Sequence, residues 1–148
     1  MKTIKGDLIK LAIEGEFDVI VHGCNCHCTM GSGIAKQIRK EFPGAYNIDQ
    51  QTNKGDIDKL GEVTIWFDTN VTVVNAYTQY NYGGRGVKYA DYDAIKNCMK
   101  KIKTEFTGKR IGLPLIGCGL AGGDWKVVSE IIATELDGED VTIVEFEG

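Results

Sequence analysis

The chain has 148 residues, 43% of them hydrophobic and 26% charged, which are the proportions of one ordinary globular domain with its own core. No apolar run approaches the roughly 18 residues that a membrane span needs, and the first residues lack the apolar segment of a signal peptide. We therefore expect a cytoplasmic protein that does not contact a membrane. The net charge of −4 argues against a nucleic-acid partner, because no basic stripe is available to contact a phosphate backbone.

The first half of the chain predicts four strands and two helices. The segment "MKTIKGD" alternates polar and apolar residues and predicts a strand, and "LIKLAIEG" predicts a two-turn helix that ends at Gly15. Residues 19–21 form an apolar run typical of a strand covered on both faces, and "GIAKQIRKEF" predicts a helix that Pro43 ends. The strands "GEVTIWFD" and "VTVVNAYTQ" are separated by residues 68–70, which predicts a hairpin.

The second half continues the same alternation of strands and helices. After a glycine-rich loop, the segment from Tyr89 to Phe106 has apolar residues at helical spacing and predicts a long amphipathic helix closed by Gly108. The segment "RIGLPLIG" predicts a buried strand, Asp124 is a good N-cap for the helix "WKVVSEIIATEL", and "DVTIVEF" predicts the last strand. About six strands and four helices, with no repeat or linker, predict a single α/β domain over residues 1–148.

Five cysteines occur, and an odd number with such tight spacing does not resemble a disulfide framework. Cys24, Cys26 and Cys28 could suggest a zinc site, but structural zinc ligands usually form two pairs on separate turns. On a continuing strand the three thiols would spread over about 13 Å. A site would then need a tight loop and a further ligand, such as Cys118 or a histidine. We interpret the cluster as packed thiols and expect no metal and no other cofactor, while a reactive thiol remains an alternative.

Three glycine-rich loops, residues 30–33, 83–86 and 117–123, each follow a predicted strand, and the first and third lead into helices. Glycine permits a positive φ and lets backbone N–H groups approach an anion, and a helix N-terminus adds partial positive charge. Such loops gather at the carboxyl ends of strands in α/β sheets. The pattern predicts an anion or nucleotide site.

Two common phosphate-binding motifs do not fit these loops. A Rossmann dinucleotide site would have a third glycine where Lys36 stands, and it would continue into a strand that the segment "FPGAYNIDQQ" does not predict. A P-loop is excluded because the sequence contains no Gly-Lys-Ser or Gly-Lys-Thr.

The combination of "GDL" after the first strand, "HGCNCHCTMGSGIA" after the second and "LPLIGCGLAGGDW" later resembles the macrodomain family over nearly the whole chain. The resemblance is strongest to the branch that contains the yeast ADP-ribose 1″-phosphate phosphatase and the terminal ADP-ribose glycohydrolase. It implies a three-layer α/β/α macrodomain with a mixed sheet of about six strands. It also implies ADP-ribose or ADP-ribose 1″-phosphate as the ligand, and an ADP-ribosylated protein as a further possible partner.

The resemblance assigns roles to residues along the chain. Asp7 would accept a hydrogen bond from the adenine amino group, with Leu8 beside it, although Asp7 is also a natural N-cap for the first helix. Phe146 would flank the adenine, or else be a core residue at a strand end. The loops that would contact the phosphates and the distal ribose comprise Gly31, Ser32, Gly33 and Ile34, and Gly117, Cys118, Gly119, Leu120 and Ala121. Gly83, Gly84 and either Tyr80 or Tyr82 would cover the distal ribose.

The same resemblance leaves the choice between an enzyme and a reader open. His22 would act as general base or nucleophile in hydrolysis of ADP-ribose 1″-phosphate, or else be a buried histidine hydrogen-bonded within the sheet. Asn25 would orient water or a ribose hydroxyl. Gln79 and Ala121 stand where the terminal ADP-ribose glycohydrolase has its lysine and aspartate, so covalent removal of ADP-ribose from protein glutamates is not expected. We expect a phosphatase; the alternatives are a non-catalytic ADP-ribose reader, a de-ADP-ribosylating hydrolase and a nucleotide-binding domain without preference for ADP-ribose.

Overall fold

The structure is a computed structural model that describes residues 1–84 and 86–147, in which the chain alternates between strands and helices. The elements in chain order are β1 (Lys2–Gly6), α1 (Leu8–Ile13), β2 (Val19–Cys24), α2 (Gly33–Glu41), α3 (Pro43–Gln50), a 3₁₀ helix (Ile57–Lys59), β3 (Val63–Phe67), β4 (Thr72–Tyr77), α4 (Tyr92–Phe106), β5 (Arg110–Leu113), α5 (Trp125–Glu135) and β6 (Asp140–Phe146). Within these described residues, no helix is both long enough and apolar enough to cross a membrane.

The six strands form one mixed sheet in the order β1-β6-β5-β2-β4-β3. All neighbouring strands pair in parallel except β3, which pairs antiparallel with β4 and confirms the predicted hairpin. The carboxyl ends of β1, β2, β4, β5 and β6 therefore lie at one edge of the sheet. This is the edge at which ligands bind in open α/β sheets.

Helices cover both faces of the sheet, and each face has its own core. In the central strand β2, Val19 and Val21 pack into a core with α4 and α5, whereas Ile20 packs into a second core with α1, α2 and α3. The alternation follows from the two-residue period of a strand, which points successive side chains to opposite faces. The predicted three-layer α/β/α fold with a mixed six-stranded sheet is confirmed.

Among the described residues, three α-helices begin after an aspartate whose carboxylate accepts a hydrogen bond from a backbone N–H in the first turn. Asp7 caps α1, Asp91 caps α4 and Asp124 caps α5. Such caps satisfy N–H groups that have no partner within the helix. The predicted cap at Asp124 is confirmed, but α4 begins at Tyr92, because Asp91 caps it there, and the predicted start at Tyr89 was too early.

The sequence did not predict helix α3, which begins at Pro43, directly after α2. Pro43 was interpreted only as the end of α2, yet proline also fits the first position of a helix, because that position needs no N–H donor. Helix α3 approaches the edge strand β3 closely at Gly44. A Cβ atom on Gly44 would overlap the indole ring of Trp66.

We expect Gly44→Ala to destabilise the protein by about 1–3 kcal/mol, since the added methyl group must displace either Trp66 or the helix. Alanine has the higher helix propensity, so a substitution without a clash would stabilise. Asn47→Ala, on an exposed part of the same helix, is the control and should change stability by no more than about 0.5 kcal/mol. Urea unfolding measures both variants. A Gly44→Ala protein as stable as wild type would show that the helix and the strand are not in tight contact.

Candidate functional site

Two cavities open at the carboxyl edge of the sheet and join into one cleft. One has a volume of about 400 Å³ and is named here the Asn25 cavity, and the other, of about 1160 Å³, is the Asp7 cavity. Both lie near the range of roughly 300–1,000 Å³ that is usual for small-molecule sites. The two cavities share five lining residues: Gly33, Ile34, Pro114, Leu115 and Gly119. The cleft is therefore continuous over the start of α2 and the loop after β5.

The structure brings the predicted ligand-contacting residues together in this cleft. The Asp7 cavity is lined by Asp7, Leu8, Cys118 and Phe146, together with the shared Gly33, Ile34 and Gly119. The Asn25 cavity is lined by Asn25, Gly31, Ser32, Gly117, Leu120 and Ala121, with the same three shared residues. Phe146 is 73% exposed, so its alternative interpretation as a core residue is wrong.

The Asp7 cavity combines an apolar floor with a carboxylate. Leu8 and Val144 are buried beneath it, and Phe146 stands at its rim. Asp7 uses one carboxylate oxygen to accept a hydrogen bond from the Lys10 amide at 3.1 Å, which caps α1. Its second oxygen accepts no hydrogen bond from the residues that the structure describes. One carboxylate can therefore cap the helix and accept a hydrogen bond from a flat apolar ligand with an amino group.

The middle of the cleft presents the N-terminus of α2. Ser32 is the N-cap residue of α2, but its side chain makes no capping hydrogen bond, in contrast to the aspartates that begin α1, α4 and α5. The first N–H groups of α2 are therefore not covered by a side-chain cap. Gly33 has a φ of +59°, a conformation that glycine adopts more easily than other residues. An uncapped helix N-terminus on a cavity wall favours an anion such as phosphate.

The loop after β5 faces this N-terminus across the cleft and is shaped by its own hydrogen bonds. The amides of Cys118 and Gly123 donate to the carbonyls of Leu115 and Gly117, which closes the loop on itself. The amides of 119–121 donate to no backbone or side-chain acceptor in the described part of the chain. Gly123 has no room for a side chain, because a Cβ atom there would lie 2.5 Å from the Gly117 carbonyl oxygen. Tight closure leaves these N–H groups available for an anion.

Asn25 lies in a tight loop that follows β2. Its Oδ1 accepts a hydrogen bond from the His27 amide at 2.8 Å, and its Nδ2 donates to the Thr29 hydroxyl at 2.7 Å. Both Asn25 and Thr29 line the cavity. The same Nδ2 also donates to the Thr29 carbonyl at 3.3 Å, so the Asn25 donors are directed at Thr29. Asn25 thus shapes the loop, and its Oδ1 has a second lone pair that can accept a hydrogen bond from a ligand or a water molecule.

His22 does not reach the cleft. It is fully buried in β2, and its Nε2 donates to Asn75 Oδ1 at 2.6 Å, in the neighbouring strand. Burial lowers the pKa of His22 to about 4, although the hydrogen bond with Asn75 opposes that shift. A nucleophile or general base must contact the reacting group. The predicted catalytic role of His22 is therefore wrong, and its alternative as a hydrogen-bonded histidine within the sheet is confirmed.

The clustered cysteines do not follow a continuing strand. Strand β2 ends at Cys24, and the chain then turns, so the assumed linear arrangement of the three thiols was wrong. Cys24, Cys26 and Cys28 are buried, and all five cysteines are free, which confirms that the cluster is packed thiols. Burial raises the pKa of Cys24 and of Cys26, which disfavours the reactive thiolate form. Within 1–84 and 86–147, no three His, Cys, Asp or Glu side chains converge as metal ligands.

Several lining residues were not predicted as site residues. In the Asn25 cavity these include Thr29 and Gln79, and Pro114 and Leu115 line both cavities. Each of these follows the carboxyl end of a parallel strand, which is the signal that could have identified them. Tyr82 lines the Asn25 cavity, whereas the alternative Tyr80 and the predicted Gly83 and Gly84 do not. Arg85, in the second glycine-rich loop, lies outside the described residues.

Comparison with known families identifies the fold. The model of the Macro domain family matches residues 21–132, which is most of the chain. The chain belongs to the macrodomain family.

Three relatives align with nearly all of this macrodomain. A protein of Enterobacteria phage T4, an "uncharacterized 17.5 kDa protein", is 36% identical, and the alignment covers 99% of this chain and 97% of the relative. The ADP-ribose glycohydrolase OARD1 of Bos taurus is 28% identical, with 97% of this chain and 88% of the relative covered. The ADP-ribose 1″-phosphate phosphatase of Candida albicans is 27% identical, with 85% of this chain and 87% of the relative covered.

Solved structures agree with the family assignment. A protein of unknown function from Bacteroides thetaiotaomicron superposes with a TM-score of 0.82 at 28% identity, covering 97% of this chain and 96% of the other. The macrodomain of Thermus aquaticus DarG superposes with a TM-score of 0.73 at 20% identity, covering 99% and 97%. At 20% identity this second likeness supports the fold alone.

The buried position of His22 predicts a specific pH dependence of stability. The pKa of His22 is about 4 in the folded macrodomain and about 6.5 in the unfolded chain, so between these values only the unfolded chain binds the proton. Stability is therefore lost as the pH falls from about 6.5 towards about 4, by up to about 3 kcal/mol. Both proteins should have a lower free energy of unfolding at pH 4.5 than at pH 7. We expect this decrease to be about 2–3 kcal/mol smaller in His22→Gln, which can still donate to Asn75, than in wild type.

Urea unfolding at the two pH values tests this expectation. Asp49 and the other acidic groups are present in both proteins, so their contributions cancel in the difference between wild type and variant. An equal loss of stability in wild type and His22→Gln would contradict the burial of a neutral His22.

Proposed function

We propose that this macrodomain binds ADP-ribose and hydrolyses ADP-ribose 1″-phosphate. The observation that carries the proposal is the order of chemical groups along the cleft. A carboxylate and an aromatic ring, Asp7 and Phe146, lie at one end, and the uncapped amides of α2 lie in the middle. Neutral polar side chains, including Asn25, lie at the other end. The order matches adenosine, diphosphate and ribose in one extended molecule.

The relatives support the proposed ligand class. Bos taurus OARD1 is named an ADP-ribose glycohydrolase, and the Candida albicans relative is named an ADP-ribose 1″-phosphate phosphatase. Both names specify a derivative of ADP-ribose, and both alignments cover at least 85% of this chain. The names differ in the bond that is cleaved, so the reaction has to be argued from the residues of the cleft.

The Asn25 cavity supports catalysis by positioning and by backbone dipoles. Its lining residues in the described parts of the chain include no carboxylate, lysine, arginine or histidine, and burial raises the pKa of the Cys24 thiol that also lines it. Water is therefore the nucleophile that this wall can orient, through the side-chain oxygens of Asn25 and Gln79. Charge that develops on the phosphoryl oxygens would be stabilised by the amides of α2 and of residues 119–121. These groups act without a change in their own protonation. The bond from phosphorus to the C1″ oxygen would break, the hydroxyl group of the water would remain on phosphorus, and the proton of the water would pass by way of the phosphoryl oxygens to the C1″ oxygen.

Recognition of adenine by Asp7 is the first expected property. Asp7→Ser retains a good N-cap but removes the carboxylate, and we expect it to weaken ADP-ribose binding about tenfold, or about 1.4 kcal/mol.

A ligand analogue tests the same contact. Inosine diphosphate ribose, with an oxygen in place of the adenine amino group, should bind wild type more weakly than ADP-ribose does. The Asp7→Ser variant should lose that preference, and calorimetry measures all four affinities. Unchanged discrimination in this variant would remove Asp7 from the ligand site.

Hydrolysis of ADP-ribose 1″-phosphate is the second expected property. We expect wild type to release phosphate in the presence of EDTA, and Asn25→Ala to lower the rate about 100-fold, as loss of one positioned hydrogen-bonding group does in other enzymes. His22→Gln is the control, and it should retain the rate per folded molecule because His22 lies behind the cavity wall. Full loss of activity in folded His22→Gln would restore a catalytic role for His22.

A non-catalytic ADP-ribose reader is the second candidate function. It is favoured by the absence of an ionisable base from the Asn25 cavity, within the described residues, and by Gln79 and Ala121 at positions where the resemblance places a lysine and an aspartate. These two residues also disfavour a covalent de-ADP-ribosylating hydrolase. Binding of ADP-ribose by wild type without phosphate release would establish the reader and exclude the phosphatase.

A further inference from the structure

A buried lysine lies on the far side of the loop that carries Asn25. Lys59, in the 3₁₀ helix, is 8% exposed, and it lines neither cavity in the described part of the protein. Its Nζ donates to the Cys26 carbonyl at 2.9 Å and to the Thr52 hydroxyl at 2.8 Å, and it lies 3.5 Å from Cys28 Sγ. Burial of an ammonium group is costly unless its donors find acceptors, and here they do.

The segment 49–59, named here the support segment, binds the loop 25–29, named the Asn25 loop, through further hydrogen bonds. The Gly55 amide donates to the Cys26 carbonyl at 2.7 Å, and Gln50 Nε2 donates to the Cys28 carbonyl at 2.6 Å. Cys28 Sγ contacts the Asp49 carbonyl at 3.3 Å. The Asn25 loop is therefore held from behind by at least three residues of the support segment.

The backbone of the Asn25 loop needs this support. Cys28 has a φ of +59°, and it is a non-glycine residue with positive φ. Such a conformation costs on the order of 1 kcal/mol or more and persists only where the surroundings impose it. The hydrogen bonds of Lys59 and Gln50 flank Cys28 on both sides. Without them the strained residue would relax, and Asn25 and Thr29 at the ends of the turn would move with it.

We infer that Lys59 is a positioning residue for the end of the cleft that holds the ribose distal to adenine. It acts through the Asn25 loop and touches no ligand itself. The inference rests on the proposed function for the identity of the ligand. It adds the statement that one end of the cleft depends on Lys59 and the other end does not, since the Asp7 cavity is built by α1, α2, β6 and the loop after β5, none of which, within the residues described, Lys59 contacts with a hydrogen bond.

Lys59→Met removes the ammonium group while keeping a long apolar side chain, and it should allow folding. The acceptors that lose Lys59 keep other partners: the Cys26 carbonyl keeps the Gly55 amide, and the Thr52 hydroxyl still donates to the Asp49 carbonyl at 2.6 Å. Neither of these two acceptors is left without a hydrogen bond. Lys54→Met, at an exposed lysine of the same segment, is the matched control for the loss of one charge.

Calorimetry with ADP-ribose and with ADP separates positioning from general destabilisation, because ADP lacks the distal ribose. We expect Lys59→Met to bind ADP-ribose about tenfold more weakly, the effect of losing one charge-assisted hydrogen bond, and to bind ADP within about twofold of wild type. Lys54→Met should bind both ligands as wild type does. Equal losses for ADP and ADP-ribose in Lys59→Met, or no loss for either, would overturn the inference.

Two further measurements keep the inference testable on its own. Gln50→Leu removes a second side-chain hydrogen bond to the backbone of the Asn25 loop, and it should reproduce the selective loss of ADP-ribose affinity if Lys59→Met fails to fold. Amide hydrogen exchange needs no ligand: exchange in 25–29 should accelerate in Lys59→Met, whereas exchange in α1 should not. Failure of wild type to bind ADP-ribose would refute the proposed function only. Unchanged exchange in 25–29 would refute the role of Lys59.

Discussion

Parallel pairing around β2 is the constraint on which the cleft depends. Because β2 lies between β4 and β5 and runs parallel to both, the loops after all three strands meet at one edge, together with those after β1 and β6. The single antiparallel strand has a different effect. Since β3 runs the opposite way, it begins at this same edge, so the segment that precedes it is brought beside the loop that follows β2. The support segment and the Asn25 loop are therefore neighbours because of the direction of one edge strand.

The middle and one end of the cleft are built from neutral groups. Backbone amides of α2 and of the loop after β5 face the cavity, and side-chain charge is confined, among the described lining residues, to the Asp7 end. Fixed dipoles stabilise an anion without the desolvation cost of burying a lysine or arginine beside it. This fits a protein with a net charge of −4, which has little long-range attraction for phosphates and must select them by close contact. Specificity then depends on the shape of two loops, and hence on whatever holds those loops in place.

Local sequence patterns were sufficient to predict the strands of the sheet and the glycine-rich loops. The signals are short-range: the alternation of residues in a strand, the N-cap at Asp124 and the positions of the glycines. They were not sufficient for α3, whose first residue, Pro43, is also a valid terminator of α2. They also misassigned His22. The polarity of a histidine is visible in the sequence, but His22 is buried because β2 lies in the centre of the sheet, and its hydrogen-bond partner Asn75 is distant in the chain and adjacent only after β2 and β4 pair. Lys59 gave no signal for the same reason, since the acceptor that ties it to the Asn25 loop, the Cys26 carbonyl, lies 33 residues earlier in the chain.

His22, which the sequence analysis misassigned, and Lys59, which it did not identify, belong to one hydrogen-bonded network. Lys59 joins it through Thr52, whose hydroxyl accepts from the Lys59 ammonium and donates to the Asp49 carbonyl. His22 donates to Asn75, whose Nδ2 donates both to the Ala45 carbonyl of α3 and to the Thr64 hydroxyl of β3. Thr64 contacts the Tyr77 hydroxyl, which in turn donates to Asp49 Oδ1 at 2.7 Å. Asp49 is buried at the end of α3, and burial raises the pKa of its carboxyl group, against the opposing effects of Tyr77 and the Lys59 ammonium. The network fixes α3 on the sheet, and the last two residues of α3 are the first two of the support segment. His22 is therefore one member of the network that anchors α3 to the sheet, and glutamine at this position, which can still donate to Asn75, would keep that connection.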